Sequence, residues 1–520
     1  MRRGVVVAGA VAGVVVVGWT AFWFAGRSQV EARVDAEIAR LEAEGTTVAY
    51  EDRGIGGFPF GYAARFEGLR VTTPDGHVLT MPRLDAALSL FDAERLVVTL
   101  PPEARAEIAE TAPGTLPGPG DLAFEDARVV FEPAPETVGG RRTRVEAASI
   151  GAVRGEADAA GADAPVGAVE AFDVDAVLDE PGLGAERRRL SLRLGRLDAL
   201  ASGTRPRAAG GAGAQRFSID ARVADIALSA DLDPAAAMTP DGRVEIDTGL
   251  AHVDFASRDR GTIAPGGDAA AATEGDAAPA SAGSGRSRVT VARLSSRGER
   301  RGGVVETETT LETVGLLVEP ADPEARVRGA LAVERVAVAA VEPIARTPSP
   351  QPFRLGLAVE GLSPDGTMWR ALDPDGALAR GPIAFDATIE GRTREGRVGT
   401  GQAALMDLGE ATASVRLDAR GARLDGEGRL TVPKAGVSGA PPAVGEARLV
   451  LEDSMALLRD LTAAGYLTPQ ATQVAMILAD NYARPGDTPE TLIVDLAVAD
   501  GMLSINGAPV APVEALPLPR

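Results

Sequence analysis

The side chains that most often perform chemistry are scarce in this sequence. It contains two histidines, His77 and His252, no cysteine and a single lysine, Lys434. Zinc, haem and iron–sulfur centres therefore lack their usual ligands. No Gly-x-Ser-x-Gly motif occurs, and Pro433 directly before Lys434 is incompatible with a phosphate-binding P-loop. The sequence predicts no catalytic residue, metal or cofactor, and so a protein that is not an enzyme.

Carboxylate pairs are the next candidates for chemistry, but their pattern is weak. Three pairs have the Asp-x-Asp spacing that occurs in calcium loops: Asp173/Asp175, Asp231/Asp233 and Asp373/Asp375. None continues into a complete EF-hand loop, so we interpret them as solvated strand ends and turns. An enzyme built on Asp365, Asp373 and Asp375 is the least favoured of three functional hypotheses.

Clusters of arginine are the groups best suited to an anionic ligand. The two that we single out as contacts for phosphate or for a phosphate-bearing lipid are Arg141, Arg142 and Arg144, and Arg187, Arg188 and Arg189. The competing interpretation is that they are charged edges or loops that prevent strands from aggregating. A formal net charge of −21 excludes nucleic acid as the expected partner, because a polyanion repels an acidic surface.

An uncharged stretch of 23 residues, Gly4 to Gly26, predicts a membrane anchor at the start of the chain. A helix of this length reaches about 34 Å, enough for a hydrocarbon core of about 30 Å. Its aromatic residues cluster at one end, as interfacial rings do, and Arg2 and Arg3 favour a cytoplasmic N-terminus. We therefore expect a single-pass membrane protein whose bulk lies outside the cytoplasm.

A cleaved secretory signal is the alternative interpretation of the same stretch. Signal peptidase requires small residues at an Ala-x-Ala-like site, whereas this segment ends in Trp-Thr-Ala-Phe-Trp-Phe-Ala-Gly. Retention of the anchor is favoured.

The remainder of the chain predicts mainly β structure. Ser28 to Glu31 resembles a capping box that opens an amphipathic helix ending near Gly45. Beyond residue 46 the apolar residues alternate, and Pro-Asp-Gly, Asp-Gly and Asn-Gly turns recur, with Asp425-Gly426 among them. Short strands joined by such turns favour an antiparallel sheet. Ser454 to Leu478 carries the start and stop signals of a helical hairpin.

The predicted fold is a large curved antiparallel sheet or two β-rich halves, with an N-terminal transmembrane helix and a C-terminal helical hairpin. Its segments are a membrane anchor over 1–27, an amphipathic helix over 28–45, a first β-rich region over 46–263, a disordered linker or loop over 264–287, a second β-rich region over 288–452, the helical hairpin over 453–484, and a closing β-hairpin with a loose tail over 485–520. Whether 264–287 divides two halves or is an insertion in a long hairpin remains open at this point.

Several local features together resemble one bacterial family. They are the leading anchor, the helix ending at Gly45, the Thr46–Tyr50 strand, the Gly-Phe-Pro-Phe motif of Gly57, Phe58, Pro59 and Phe60, the Phe66–Thr72 strand, and the run Val498 to Gly507. This combination resembles domain-of-unknown-function family 2125, across nearly the whole chain. The resemblance implies a Gram-negative inner-membrane setting and a β-rich exported region, but no activity and no catalytic residues. A looser similarity to AsmA-like proteins suggests lipid handling by analogy only.

Two non-enzymatic functions therefore lead. The first is a lipid-binding or envelope-maintenance factor whose sheet presents an apolar groove. The second is a structural scaffold in which the helical hairpin, 454–484, and the helix over 28–44 dock other envelope proteins.

Overall fold

The structure is a computed structural model that describes most of the chain. The described residues are 23–24, 26–58, 60–89, 91–109, 118–134, 139–154, 166–180, 187–206, 214–232, 242–259, 284–301, 303–320, 328–343, 349–374, 376–378, 380–393, 408–419, 421–431, 444–488 and 490–512. They form two compact units, Met1–Ala235 and Ala236–Arg520.

The first unit contains one long helix and twelve described strands. The helix α1 spans 26–43. The strands are β1 (Thr47–Ala49), β2 (Asp52–Gly56), β3 (Gly61–Thr72), β4 (Val78–Ser89), β5 (Asp92–Thr99), β6 (Glu103–Ile108), β7 (Gly118–Glu125), β8 (Arg128–Pro133), β9 (Arg141–Arg154), β10 (Val166–Glu180), β11 (Arg188–Pro206) and β12 (Ala214–Leu232).

The second unit contains fourteen described strands and three helices. The strands are β13 (Gly242–Thr248), β14 (Ala251–Asp259), β15 (Ser284–Arg301), β16 (Val304–Glu319), β17 (Gly329–Pro343), β18 (Gln351–Pro364), β19 (Ile383–Thr393), β20 (Leu408–Ala419), β21 (Ala422–Thr431), β22 (Val444–Glu452), β23 (Arg484–Pro485), β24 (Thr491–Ala499), β25 (Met502–Ile505) and β26 (Ala508–Pro512). The helices are α2 (Gly366–Leu372), α3 (Ser454–Ala463) and α4 (Pro469–Tyr482).

Within each unit every described strand pair is antiparallel, which confirms the predicted sheet type. In the first unit β9, β10, β11 and β12 pair in chain order. In the second, β15 to β22 pair in chain order, and β22 then pairs with β24 across the helical hairpin. β14 also pairs with β15, so residues 260–283, which lie outside the described part, connect two strands of one hairpin. The division between the units falls at Ala235/Ala236, ahead of the predicted linker.

The strands are much longer than the sequence predicts, because their apolar alternation shifts phase in the middle. In β10 the alternating apolar residues have odd numbers before Asp173, as at Val169 and Ala171, and even numbers after it, as at Val174 and Ala176. Asp173 has a left-handed backbone, with φ of 51°. Asp225 in β12 and Thr313 in β16 have the same conformation at the same kind of break. In the first unit the strand register places Asp173 of β10 and Asp225 of β12 opposite Gly195 of β11, and we call these three residues the phase-shift row.

The phase shift keeps the apolar side chains on one face. Leu69 and Met81 form a buried cluster against both Phe66 and Val71, which lie on opposite sides of Gly68, where φ is 61°. Around Asp173 the same holds, since Val174 and Ala171 contribute to one cluster. A residue with positive φ rotates the following strand, so the parity change restores the facing that strict alternation would have lost. Strict alternation of apolar residues therefore predicts two short strands where the structure has one long strand.

Some predicted turns and loops are therefore wrong. Asp425-Gly426 lies inside β21, and Pro364-Asp365-Gly366 begins α2, where the Asp365 carboxylate accepts a hydrogen bond from Met368 N at 2.7 Å. Residues 284–287 of the predicted linker are strand. The Asp500-Gly501 and Asn506-Gly507 turns are confirmed by positive φ at all four residues. Part of the predicted loose tail is strand β26, which pairs with β25.

The predicted amphipathic helix and helical hairpin are present among the described residues, but the predicted start of the amphipathic helix is wrong. α1 passes through Ser28, so the predicted capping box does not begin it; Gly45, with φ of 88°, lies just beyond its end. The hairpin of α3 and α4 is confirmed, with Thr468 capping α4 through Ala471 N and Pro469 in its first turn. Most of the predicted anchor, residues 1–22, lies outside the described residues. Among the described residues, no helix combines the length and apolarity needed to span a bilayer.

Candidate functional site

The apolar face of the second unit contains a trough whose floor is made of small residues. Register places Ile389, Ala413, Gly428, Ala447 and Leu496 in one row across β19, β20, β21, β22 and β24. The order is large, small, small, small, large. Because the three central strands have no bulky side chain in this row, the outer two form walls around an empty floor.

The neighbouring row differs from this one at two positions, with Gly391 in β19 and Leu430 in β21. It contains Ala411, Leu430, Gly445 and Val498, and Leu503 of β25 continues it. Leu430 reaches over Gly445, since a Cβ on that glycine would lie 2.9 Å from Leu430 Cδ1. Leu430 is still 39% exposed, so it borders the trough without closing it.

The trough is bounded on two sides by large side chains that lean over glycines of the neighbouring strands. In the next row, Val415 and Leu449 lean over Gly426, where a Cβ would meet their methyl carbons at 2.7 and 2.8 Å. These side chains close that end. On the other side Phe353, buried against Ala411 and Ile389, lies over Gly391.

The resulting cavity has a volume of about 290 Å³, at the small end of the range of about 300–1,000 Å³ common for ligand sites. Its side-chain lining is aliphatic. Thr412, Arg429 and Glu446 border it through their backbone, because strand alternation directs their side chains to the opposite face. Ala413 on the floor is exposed, so the described chain leaves this face uncovered there. Such a surface can bind an apolar ligand but has no pair of groups suited to acid–base chemistry.

The opposite face of the same strands is charged and forms a cleft with a larger volume, about 800 Å³. Arg429 faces Glu410, and Arg448 faces Asp495, each at 3.9 Å. Arg416 and Asp425 approach to 2.6 Å. All of these side chains are at least a third exposed, and such pairs contribute little, about 0–1 kcal/mol. We interpret this face as the solvated side of the sheet.

The first predicted arginine cluster lies in β9, paired with carboxylates of β10. Arg142 binds Asp179 through two nitrogens at 2.6 and 3.0 Å, and Arg144 binds Asp175 in the same way at 2.8 and 3.0 Å. Arg141 contacts Glu180 at 2.8 Å. Hydrogen bonding to Asp175 raises the pKa of Arg144 further. An incoming phosphate would have to displace these carboxylates.

The second predicted cluster lies at the start of β11. Arg189 lies 3.3 Å from Asp231, whereas Arg187 and Arg188 are exposed and make no ion pair with another described residue. The structure does not bring the two clusters' guanidinium groups together in a described pocket. Contact with phosphate stays a prediction for both.

The Gly-Phe-Pro-Phe motif forms the turn between β2 and β3. Gly57 has φ of 98°, and its carbonyl accepts a hydrogen bond from Gly61 N at 3.1 Å. A Cβ on Gly57 would lie 2.8 Å from the Gly61 carbonyl oxygen, so only glycine fits. Phe58 and Phe60 are exposed, and Pro59 lies outside the described residues.

The remaining candidates have structural partners. Asp373 is buried and accepts hydrogen bonds from Ala377 N and Leu378 N, at 2.9 and 2.7 Å. Asp173 is a mid-strand residue of the phase-shift row and not a strand end. His77 Nδ1 accepts a hydrogen bond from Ala109 N at 3.1 Å. Among the described residues no group of three or more His, Asp or Glu side chains is placed to hold a metal ion.

Comparison with known proteins settles the family. The sequence model of the family described as "Uncharacterized protein conserved in bacteria (DUF2125)" matches residues 23–294 and 264–514. The chain belongs to this family. Neither the curated proteins nor the solved structures contain a match. The resemblance based on the Gly-Phe-Pro-Phe region and the C-terminal strands is thus confirmed for DUF2125.

The trough in this DUF2125 protein is the site that sequence reasoning missed. Its signal was present as glycine and alanine at the inward positions of β20, β21 and β22: Ala411, Ala413, Gly426, Gly428, Gly445 and Ala447. Glycine inside a strand often marks a close approach of another group. Only the strand register shows that these small residues lie side by side.

Proposed function

We propose that this protein binds the acyl chain of a lipid in the trough of its second unit, as a membrane-anchored, non-enzymatic factor of the cell envelope. The observation that supports this most is the aliphatic trough itself, with its floor of alanine and glycine. A flexible hydrocarbon chain is slim and needs no polar partner, so it matches a furrow of small residues that runs across the strands from Ile389 to Leu496. Burying apolar surface contributes about 25 cal/mol per Å².

Alternative ligands fit the trough less well. A polar metabolite would leave its hydrogen-bonding groups unsatisfied against Ala413, Gly428 and Ala447, at a cost of about 1–3 kcal/mol for each group.

Photo-crosslinking tests the proposal in the full-length protein. The protein is reconstituted in vesicles that contain a phospholipid with a diazirine in its acyl chain, and the adducts are mapped by mass spectrometry. We expect adducts on β19 to β22 and β24. Ala413→Leu fills the floor and should reduce these adducts at least tenfold.

Ser414→Leu is the matched control. Residue 414 follows Ala413 in β20, is also exposed, and faces the charged side of the sheet. It should leave the adducts within about twofold of the unmodified protein. Absence of adducts from these strands in the unmodified protein, or equal losses in both variants, would contradict binding in the trough.

The proposal also includes the membrane anchor and the periplasmic location. They are supported by the uncharged run Gly4–Gly26 and by the arginines before it. Membrane fractionation with sequencing of the mature N-terminus tests them: we expect the intact segment in the inner-membrane fraction. A freely soluble form that starts after about residue 25 would contradict the anchor.

A scaffold function is the second candidate, because the helical hairpin has exposed apolar side chains. Ile477 of α4 is 49% exposed and Tyr466 of the connecting turn is 52% exposed. Tyr466 donates a hydrogen bond to the Leu372 carbonyl at 2.7 Å, so this end is already held by the chain itself. Deletion of 454–484 with loss of co-purified envelope proteins and unchanged lipid adducts would favour the scaffold.

A further inference from the structure

The structure contains an exposed aromatic surface at one end of the first unit. Its members are Phe24, Phe58, Phe60 and Phe91, with exposed fractions of 55%, 51%, 63% and 78%. We call these four residues the aromatic rim. Large exposed apolar groups at one place normally mark an interaction or membrane site.

Two turns and the start of the helical segment bring the rim together. Strand register pairs Gly61, the first residue of β3, with Ser89, the last residue of β4. The β2–β3 turn and the β4–β5 turn therefore lie at the same end of these strands. Phe60 and Phe91 are in ring contact, with centroids 6.1 Å apart. Residues from three separate parts of the sequence therefore present their rings at one end of the strands.

Trp23 holds the helical segment against this end of the strands. Its ring stacks on Tyr62 at 5.8 Å and contacts Phe58 edge-on at 5.5 Å, and its Nε1 donates to the Gly61 carbonyl at 2.7 Å. Trp23 is therefore buried in protein contacts, and not an interfacial ring as its position in the sequence suggests. Gly26 also lies against the Tyr62 ring, leaving no room there for a Cβ.

We propose that the aromatic rim inserts into the boundary between the headgroups and acyl chains of the membrane that holds the N-terminal segment. The occupant follows from chain continuity. Nineteen uncharged residues, Gly4 to Phe22, precede Trp23 directly, so the chain emerges from its apolar run at the rim. Aromatic side chains of peripheral segments typically enter this boundary to a depth of about 5–10 Å. The inference rests on the membrane anchor of the proposed function and is independent of the trough.

The rim also gives the Gly-Phe-Pro-Phe motif a function beyond the fold. Gly57 supplies the positive φ that the turn needs, which places Phe58 and Phe60 on the outside. If the turn served only the fold, exposed polar residues would be favoured at both positions. A second contact beside the anchor would limit the rotation of the first unit on the membrane surface.

Absence of cysteine makes a site-specific test clean. Full-length Phe60→Cys and Phe91→Cys are labelled with an environment-sensitive fluorophore and reconstituted in phosphatidylcholine/phosphatidylglycerol vesicles. Val444→Cys and Leu250→Cys are the controls, since both native side chains are aliphatic and more than half exposed. Nitroxide lipids labelled near the headgroup are then added as quenchers.

We expect blue-shifted emission and at least threefold stronger quenching at positions 60 and 91 than at the controls. Equal, water-like emission at all four positions would overturn the proposal. So would a blue shift at 60 and 91 without lipid quenching, because the rim would then be covered by protein, either residues 1–22 or a second copy. Acyl-chain crosslinking in the trough is measured on the same preparations, so failure of the rim and failure of the trough are separate results.

Discussion

The two units contain the same kind of apolar face but fill it differently. In the first unit Ala147 and Val174 are buried in a cluster to which Phe124, Ile150 and Leu192 contribute. In the second, one row across β20, β21 and β22 contains only Ala413, Gly428 and Ala447, and an open trough results. Apolar alternation thus shows which face of a sheet is apolar. The volumes of the side chains that share a row decide whether that face is packed or available to a ligand.

The largest expected effect concerns Phe353, which forms the end wall of the trough. Phe353→Ala removes a ring that is only 3% exposed and packs on Ala411, so we expect a loss of about 3–5 kcal/mol in the stability of the second unit. Leu357→Ala is the control, because it lies on the same face of β18 but is 40% exposed. It should cost less than about 1.5 kcal/mol. Hydrogen exchange of β18 to β20 in urea measures both; equal losses would show that the wall is not better packed than the open face.

Enlarging one alanine in each unit tests the comparison most directly. Ala147→Leu overfills a packed cluster and should cost about 1–3 kcal/mol. Ala413→Leu enters free space and should change stability by less than about 0.5 kcal/mol. Urea unfolding monitored by hydrogen exchange in each unit gives both values. If Ala413→Leu is the more destabilising, the trough is not the open space described above.

The phase-shift row predicts a smaller, paired effect in the first unit. A Cβ on Gly195 would lie 2.6 Å from Asp173 Oδ2 and 3.0 Å from its Cβ, so Gly195→Ala should cost about 1–2 kcal/mol. Asp173→Gly removes that side chain and tolerates φ of 51°, so it should be close to neutral. In the double variant the cost of Gly195→Ala should fall by at least half. Additive effects in this double-mutant cycle would show that the two residues are not coupled.

Much of this architecture is predictable from local sequence. The alternating strands, the Asp500-Gly501 turn and the helical hairpin follow from period and from φ preferences. Strand length does not, because the left-handed Asp173 and Asp225 interrupt strict alternation without ending the strand. Aspartate tolerates this conformation better than most residues, but its sequence signal resembles that of a turn.

The trough and the rim were harder to predict, for a different reason. Each depends on residues far apart in the sequence, such as Ile389 with Leu496, or Phe60 with Phe91. The sequence shows that Gly428 and Ala447 are small, but only pairing places them side by side. The arginine clusters show the converse, since Arg142 looks free in the sequence and is bound to Asp179 in the sheet.

Acid should lower the stability that the ion pairs of the polar face contribute in both units. The apolar faces differ between the units, whereas this effect has the same direction in each. The guanidinium of Arg288, with His252 and Arg286, holds the pKa of Asp254 in the second unit well below its ordinary value. Arg83 and Arg65 likewise lower the pKa of Asp85 in the first. Folding therefore favours the ionised carboxylates. Their contribution is complete above the unfolded-state pKa, about 3.9, and is lost as pH falls through the lower folded-state values.

Arg288→Gln tests this linkage by its pH dependence. It should destabilise the second unit at pH 7 by a small amount that shrinks only as the pH falls through the lowered folded-state pKa of Asp254, because protonated Asp254 no longer distinguishes arginine from glutamine. Arg335→Gln is the control, since its carboxylate partner, Glu360, lies 3.8 Å away and both side chains are exposed. Its effect should be near zero at every pH. Urea midpoints at pH 7, 4, 3, 2 and 1 measure both variants, so that the series reaches the pH range in which folded Asp254 is protonated. A destabilisation by Arg288→Gln that is independent of pH would mean that Arg288 acts by packing its aliphatic carbons and not through the charge of Asp254.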